Sequence, residues 1–210
     1  MLLSIDVVRR HPRSYAPREA TDALPGGLRL SRDESVLRAR EGDRDAFDVL
    51  ATTATPRLYG IALRILRDVH HAEDVVQDSL VDAWRDLRAL RDPALFDAWV
   101  TRILVRNCYR MAKRSRAMRQ VVPFATEPTT NPTVEIDQRD QLDRAFRRLK
   151  PDQRMVIVLR HYLDWEPAEI AEALGVAPGT VRSRLHYALA ALRAILEADA
   201  RPALDPGDPR

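Results

Sequence analysis

The chain has 210 residues, 45% apolar and 31% charged, enough for one or two small soluble cores. Its net charge is +3, and Lys113 and Lys150 are its only lysines, so arginine carries the positive charge; this suits a polyanionic partner and equally suits a GC-rich genome. The single cysteine, Cys108, excludes a disulfide framework and a cysteine-built zinc site.

No apolar run approaches a membrane span, and MLLSIDVVRR lacks a basic stretch followed by a long apolar one, so it does not read as a signal peptide. The expected location is cytoplasmic. Residues 1–31 mix Arg, Pro and Gly without periodicity and read as a disordered tail. A short helix is predicted from Asp33 to near Gly42, and Asp43 is placed to cap the next. Phe47, Leu50, Leu58, Ile61 and Ile65 follow helical spacing, with a bend expected near Pro56. A third helix is predicted from about Ala72 to Leu90, with Val76, Leu80, Ala83, Trp84 and Leu87 turned inward. After the loop RALRDPAL, Pro93 opens a fourth, carrying Phe96, Trp99, Val100, Ile103 and Leu104 to about Arg116.

The proline-containing stretch VVPFATEPTTNPT then interrupts the pattern and reads as a linker. A second helical block runs from about Ile136 to Ala198, broken at Lys150-Pro151, Asp164 to Pro167 and Gly175 to Pro178. The expected fold is therefore all-α. Two small helical domains, 32–118 and 137–198, are joined by a flexible linker, 119–136, and followed by a disordered tail, 199–210.

The stretch IAEALGVAPGTVRSRLHYAL has the chemistry of a helix-turn-helix. Gly175 suits a left-handed cap and Pro178 a helix start. Val181, Leu185, Ala188, Leu189 and Leu192 form one apolar stripe. The other side offers Arg182, Ser183, His186 and Tyr187, flanked by Thr180 and Arg184, as donors to base edges and phosphates. An ordinary amphipathic bundle helix is the alternative.

The first block is divided by charge. Eight acids lie between Asp68 and Asp97, whereas 98–126 holds none and carries Arg102, Arg106, Arg110, Lys113 and Arg114 at helical spacing. With Asn107 and Tyr109 interleaved, this track suits a nucleic-acid backbone, single strands in particular, as well as it suits a solvated face. On the acidic helix Asp74, Gln77, Asp78, Val81 and Arg85 share an outward face, which is either a dock for a basic protein or plainly solvated.

Taken in order, these segments resemble a bacterial RNA polymerase sigma factor of the extracytoplasmic-function (ECF) class. The resemblance covers about Asp33 to Leu196. It implies a region 2 helical bundle and a region 4 helix-turn-helix. AEDVVQDSLVDAWR resembles the helix that grips the clamp of the polymerase β′ subunit, with Asp74, Gln77, Asp78, Val81 and Arg85 as contacts and Trp84 as its aromatic. FDAWVTRILVRNCYRMAKR resembles the helix that holds the melted non-template strand of the minus-ten element. Arg102, Arg106, Asn107, Arg110 and Lys113 are its implied DNA contacts, and Arg88 and Arg91 lie in RALRDPAL, which stands where the family's loop captures a flipped base. Thr180, Arg182, Ser183, Arg184, His186 and Tyr187 are the implied contacts to the duplex minus-thirty-five element.

The implied partners are core polymerase (β′ clamp and β flap), promoter DNA and an anti-sigma factor. The chain is then nucleoid-associated when in holoenzyme. No cofactor, metal, small-molecule substrate or enzymatic activity is implied. Three positions depart from the family pattern. His71 stands where an acid is usual, Leu80 where Phe is usual, and Tyr187 where a basic residue is common, so docking is expected to survive and the promoter to be unusual. A ligand-binding or dimerising repressor would need an apolar pocket or a self-complementary face, which the acidic helix and basic track fit poorly. An enzyme fused to a DNA reader would need a phosphate loop, nucleophile motif or metal cluster, and none is legible. The adjacent His70 and His71 fall at a helix boundary and do not make a metal site.

Overall fold

A computed structural model describes residues 31–121 and 138–200; the greater part of the expected tails and linker lies outside these residues. Among the described residues there are eight α-helices and no strand. The described residues divide into two compact units, one comprising 31–63 and 68–108, the other 64–67, 109–121 and 138–200.

Helices α1 (Arg32–Arg40), α2 (Arg44–Leu66) and α3 (Val69–Asp86) each begin on a side-chain cap. The Ser31 hydroxyl accepts the Glu34 N–H at 3.2 Å. Gly42, at φ +103°, turns the chain into α2. Asp43 accepts the Ala46 N–H at 3.0 Å and the Arg38 Nε at 2.8 Å. The Ala46 amide, with Arg38, holds the Asp43 carboxyl below its ordinary value. Its contribution is present above the unfolded carboxyl's pKa and is lost as pH falls through the lowered folded one. Helix α2 continues through Pro56, because Leu50, Ala54, Leu58 and Ile61 bury one face on both sides of it.

Asp68 accepts the His71 N–H at 2.8 Å, so α3 starts at Val69, one turn earlier than its apolar spacing predicts. It ends at Asp86, and Leu87–Ala89 tightens to a 3-10 turn. Pro93–Leu95 is a second such turn, capped by Asp92, and leads into α4 (Phe96–Val121). That helix continues past Arg116 into the expected linker. Leu58, Ile61, Val75, Leu87, Phe96, Val100 and Leu104 form the first core. At its edge Asp97 receives Arg32 at 2.7 Å and Arg57 at 2.9 Å, and Arg57 also donates to the Thr101 hydroxyl at 2.8 Å.

Cys108 is fully buried, and burial pushes its thiol up to about 12. The folded protein should therefore resist alkylation by iodoacetamide at pH 8, while the unfolded chain reacts within minutes. Mass spectrometry with and without denaturant checks this; stoichiometric labelling of folded protein would contradict the buried placement.

The second unit contains α5 (Gln138–Arg148), α6 (Pro151–Ile157), α7 (Pro167–Leu174) and α8 (Pro178–Ala200). Leu149, Met155, Leu159, Ile170, Val181 and Ala188 make its core. After α6 the residues Val158–Tyr162 widen into a π-turn, closed by the Leu163 N–H on the Val158 carbonyl at 3.1 Å. Asp164 then takes a left-handed conformation, φ 60°, and breaks the chain where the sequence predicts.

Gly175 ends α7 at φ +64°, ψ 40°, the left-handed cap the sequence predicts. A Cβ there would meet no atom within 4 Å, so the cost of a side chain is in the backbone alone. Gly175→Ala should lose about 1 kcal/mol, and Gly175→Asn should recover part of it because Asn tolerates this region. Thermal melts of the two variants check the ordering; equal melting temperatures would contradict it.

Candidate nucleic-acid interface and docking face

Helix α3 presents one exposed stripe. Asp74, Asp78, Val81 and Arg85 recur every three or four residues with Gln77 beside them, and all five are exposed. Beneath them Val75, Val76, Ser79 and Ala83 are buried, which fixes the stripe outward. Val81 is 44% exposed, an apolar patch among carboxylates, as a protein contact centre requires. Leu80 and Trp84 are half-buried rather than fully inward, and the Trp84 ring tilts against Phe47 at 5.0 Å.

Helix α4 carries the basic track. Arg110 and Lys113 are exposed, and Arg102 and Arg106 half-buried. The Arg106 Nε donates to the Arg102 carbonyl at 3.4 Å, which lays that side chain along the helix. Arg88, in the first 3-10 turn, and Arg91, in the loop after it, are exposed.

Asn107 is placed differently from the expectation. It is only 6% exposed, and its amide donates to the Ser79 hydroxyl and to Asp82 Oδ2, each at 3.1 Å. A DNA strand cannot reach it there. The signal was in the spacing: Asn107 is four residues after Ile103 and seven after Val100, on the apolar side of the helix. Arg102, Arg106 and Arg110 follow the other side. Nothing in the local pattern marks Ser79 and Asp82, or Arg57 and Thr101, because their partners come from other helices.

On α8 the apolar stripe turns inward at Val181 and Ala188, both fully buried, and Leu185, Leu189 and Leu192 are half-buried. Arg182, Ser183, His186 and Tyr187 are exposed, and Thr180 is half-buried. The Ser183 hydroxyl donates to the Thr180 carbonyl at 3.0 Å. Tyr187 is 65% exposed, the most open large apolar side chain among the described residues, and meets the His186 ring edge-on at 5.5 Å. Arg184 is half-buried; its guanidinium lies 6.0 Å from the Tyr109 ring, and its Nη1 is buried without a hydrogen-bond partner. His71 Nδ1 lies 3.4 Å from Asp68, and among the described residues no three His, Cys, Asp or Glu side chains converge as a metal site would require.

The family model described as Sigma-70 region 2 matches residues 50–118, and that described as Sigma-70, region 4 matches 139–192. The chain is 38% identical over 147 residues to the ECF RNA polymerase sigma factor SigL of Mycobacterium tuberculosis, covering 67% of this chain and 82% of that protein. It is 31% identical over 187 residues to SigM of the same organism, covering 88% and 93% respectively. Among solved structures it is similar to the sigma factor RpoE of Bartonella quintana in complex with the anti-sigma factor NepR. The TM-score is 0.54 and the identity 26%, covering 73% of this chain and 98% of that one. It is also similar to CnrH in complex with the cytosolic domain of CnrY, with TM-score 0.50 and 27% identity over 80% of this chain and 99% of that one.

Proposed function

Because the chain belongs to the ECF sigma factors of RNA polymerase, transcription initiation factors that direct the enzyme to promoters, we propose that its two helical parts divide that work. Residues 32–118 dock on core polymerase through the α3 stripe and hold melted minus-ten DNA along α4. Residues 137–198 read duplex minus-thirty-five DNA through α8, and 119–136 link the two. The observation that carries this reading is the exposed stripe Asp74, Gln77, Asp78, Val81 and Arg85, on a helix bonded to the one bearing the arginine track.

The physical logic is differential binding. Opening a duplex costs free energy in unstacking and unpairing. Pockets for extruded bases and arginines on the freed phosphates offset it only once the strands separate. Arg102, Arg106, Arg110 and Lys113 supply the cations, and Arg88 and Arg91 belong to the loop proposed to take an extruded base. The chain makes and breaks no covalent bond, so it is not an enzyme. It acts in the cytoplasm, on the nucleoid; no described helix is long and apolar enough to cross a membrane. An anti-sigma factor is a further proposed partner, because two of the solved structures it is similar to are complexes with a protein of that kind or with a cytosolic domain.

The test is reconstitution. Core polymerase with this chain should initiate on a fragmented genome at sites that share two upstream elements, mapped by sequencing the transcripts. Failure to associate with core polymerase would overturn the reading.

A further inference from the structure

We propose that Asn107 is a positioning residue that locks the docking helix to the strand-holding helix, acting through Asp82 and Ser79. This rests on the assignment of the α3 and α4 faces above. Asn107 is 6% exposed and Ser79 fully buried. The Asn107 amide donates one hydrogen to the Ser79 hydroxyl and one to Asp82 Oδ2, each at 3.1 Å. Ser79 in turn donates to the Val75 carbonyl at 2.6 Å, so its single proton is used within α3 and its lone pair receives Asn107.

The arrangement is directional. Apolar contacts between two helices carry no direction of their own, whereas a hydrogen bond fixes both a distance and an angle. A planar amide with both hydrogens placed on two different groups of α3 permits one register only. Its Asp82 bond is charge-assisted, and Ser79 is sealed from water, so no solvent molecule replaces the lost partner cheaply. Ser79 and Asp82 lie within one turn of Asp78 and Val81 on the docking stripe. Asn107 adjoins Arg106 and sits one turn from Arg110 on the basic track. The tie therefore joins the two functional faces at their middles, from behind. Its consequence is that polymerase bound to α3 finds the α4 cations at a fixed position and angle.

The experiment uses the full chain with core polymerase. Asn107→Leu keeps the volume and removes both hydrogen bonds; Asn107→Ala is the second variant should Leu fail to fold. Three quantities are measured at 25 °C, where circular dichroism shows each variant folded: affinity for core, affinity for a minus-thirty-five duplex, and open-complex formation by permanganate reactivity of the minus-ten thymines. Core and duplex binding should stay within twofold of the parent, while open-complex formation falls about tenfold, the weight of one hydrogen bond to a charged acceptor. Asp82→Ala should show the same split, and the Asn107→Leu/Asp82→Ala pair should be no worse than the poorer single variant. The loss should also be uniform across promoters changed at single minus-ten positions.

A folded Asn107→Leu variant with normal open complexes would overturn the proposal. So would additive losses in the pair, or a relaxed preference at one base, which would make Asn107 a direct reader. Arg106→Ala is run alongside. If it too leaves open-complex formation intact, the assignment of the α4 face fails, not the tie alone.

Discussion

Reversing both Asp74 and Asp78 to lysine should abolish promoter-directed transcription by removing the chain from polymerase. Both carboxylates are exposed and one turn apart on α3, flanking Gln77, with Val81 one turn further on. A basic partner surface that meets two lysines there loses two attractions and gains two repulsions. Like-charge juxtaposition at an interface costs several kcal/mol, so core affinity should fall by at least about a hundredfold. The fold should be indifferent. Asp68, not Asp74, caps the helix, and Asp74 lies beyond the first turn, where the helix dipole acts. Titration of labelled core polymerase measures the loss, and binding of the same variant to a minus-thirty-five duplex should be unchanged. Parental affinity for core would remove the docking face from α3.

Arg182→Ala should weaken binding to the minus-thirty-five duplex by roughly ten- to a hundredfold, the weight of one good contact to a base edge. Arg182 is exposed near the start of α8, one residue beyond buried Val181, so its backbone is held rigidly while its side chain is open. The pattern of the loss is informative. If Arg182 reads a base, the loss should concentrate at one promoter position. If it meets a phosphate, the loss should be even across sequences, and the salt dependence of binding should flatten by about one counterion. Anisotropy with single-position duplex variants at two salt concentrations separates these. Unchanged binding, at every sequence and salt, would place the reading surface elsewhere on the helix.

Much of the fold was written in local chemistry. The caps at Asp43 and Gly175 and the break after Asp164 were legible because each depends on a few neighbouring residues. The outward stripe of α3 was legible from its period. What failed locally was decided by tertiary packing or by competing caps. Asp68 caps α3 one turn before its apolar spacing becomes clear, so the spacing alone places the start too late. Pro56 lies inside α2, and a buried stripe on either side carries the helix through it. The π-turn at 158–162 leaves no pattern in the sequence, since it shifts only one hydrogen-bond register. Asn107 was assigned by residue type, a polar side chain between arginines, where helical geometry should have ruled. Arg184 stands at the flank of the outward face in the sequence, and the structure shows it half-buried, its guanidinium 6.0 Å from the Tyr109 ring.

Helix α8 separates two obligations along its length. Val181 and Ala188, held at zero exposure, answer to the core; Arg182, Ser183, His186 and Tyr187 answer only to what lies outside. A change on the outer side leaves stability nearly untouched; with α8 as the proposed duplex reader, the promoter sequence it recognises is free to drift while its scaffold stays fixed. The same separation makes it a ready cassette on that proposal: exchanging the four outward side chains should retarget the molecule without a compensating change in the core.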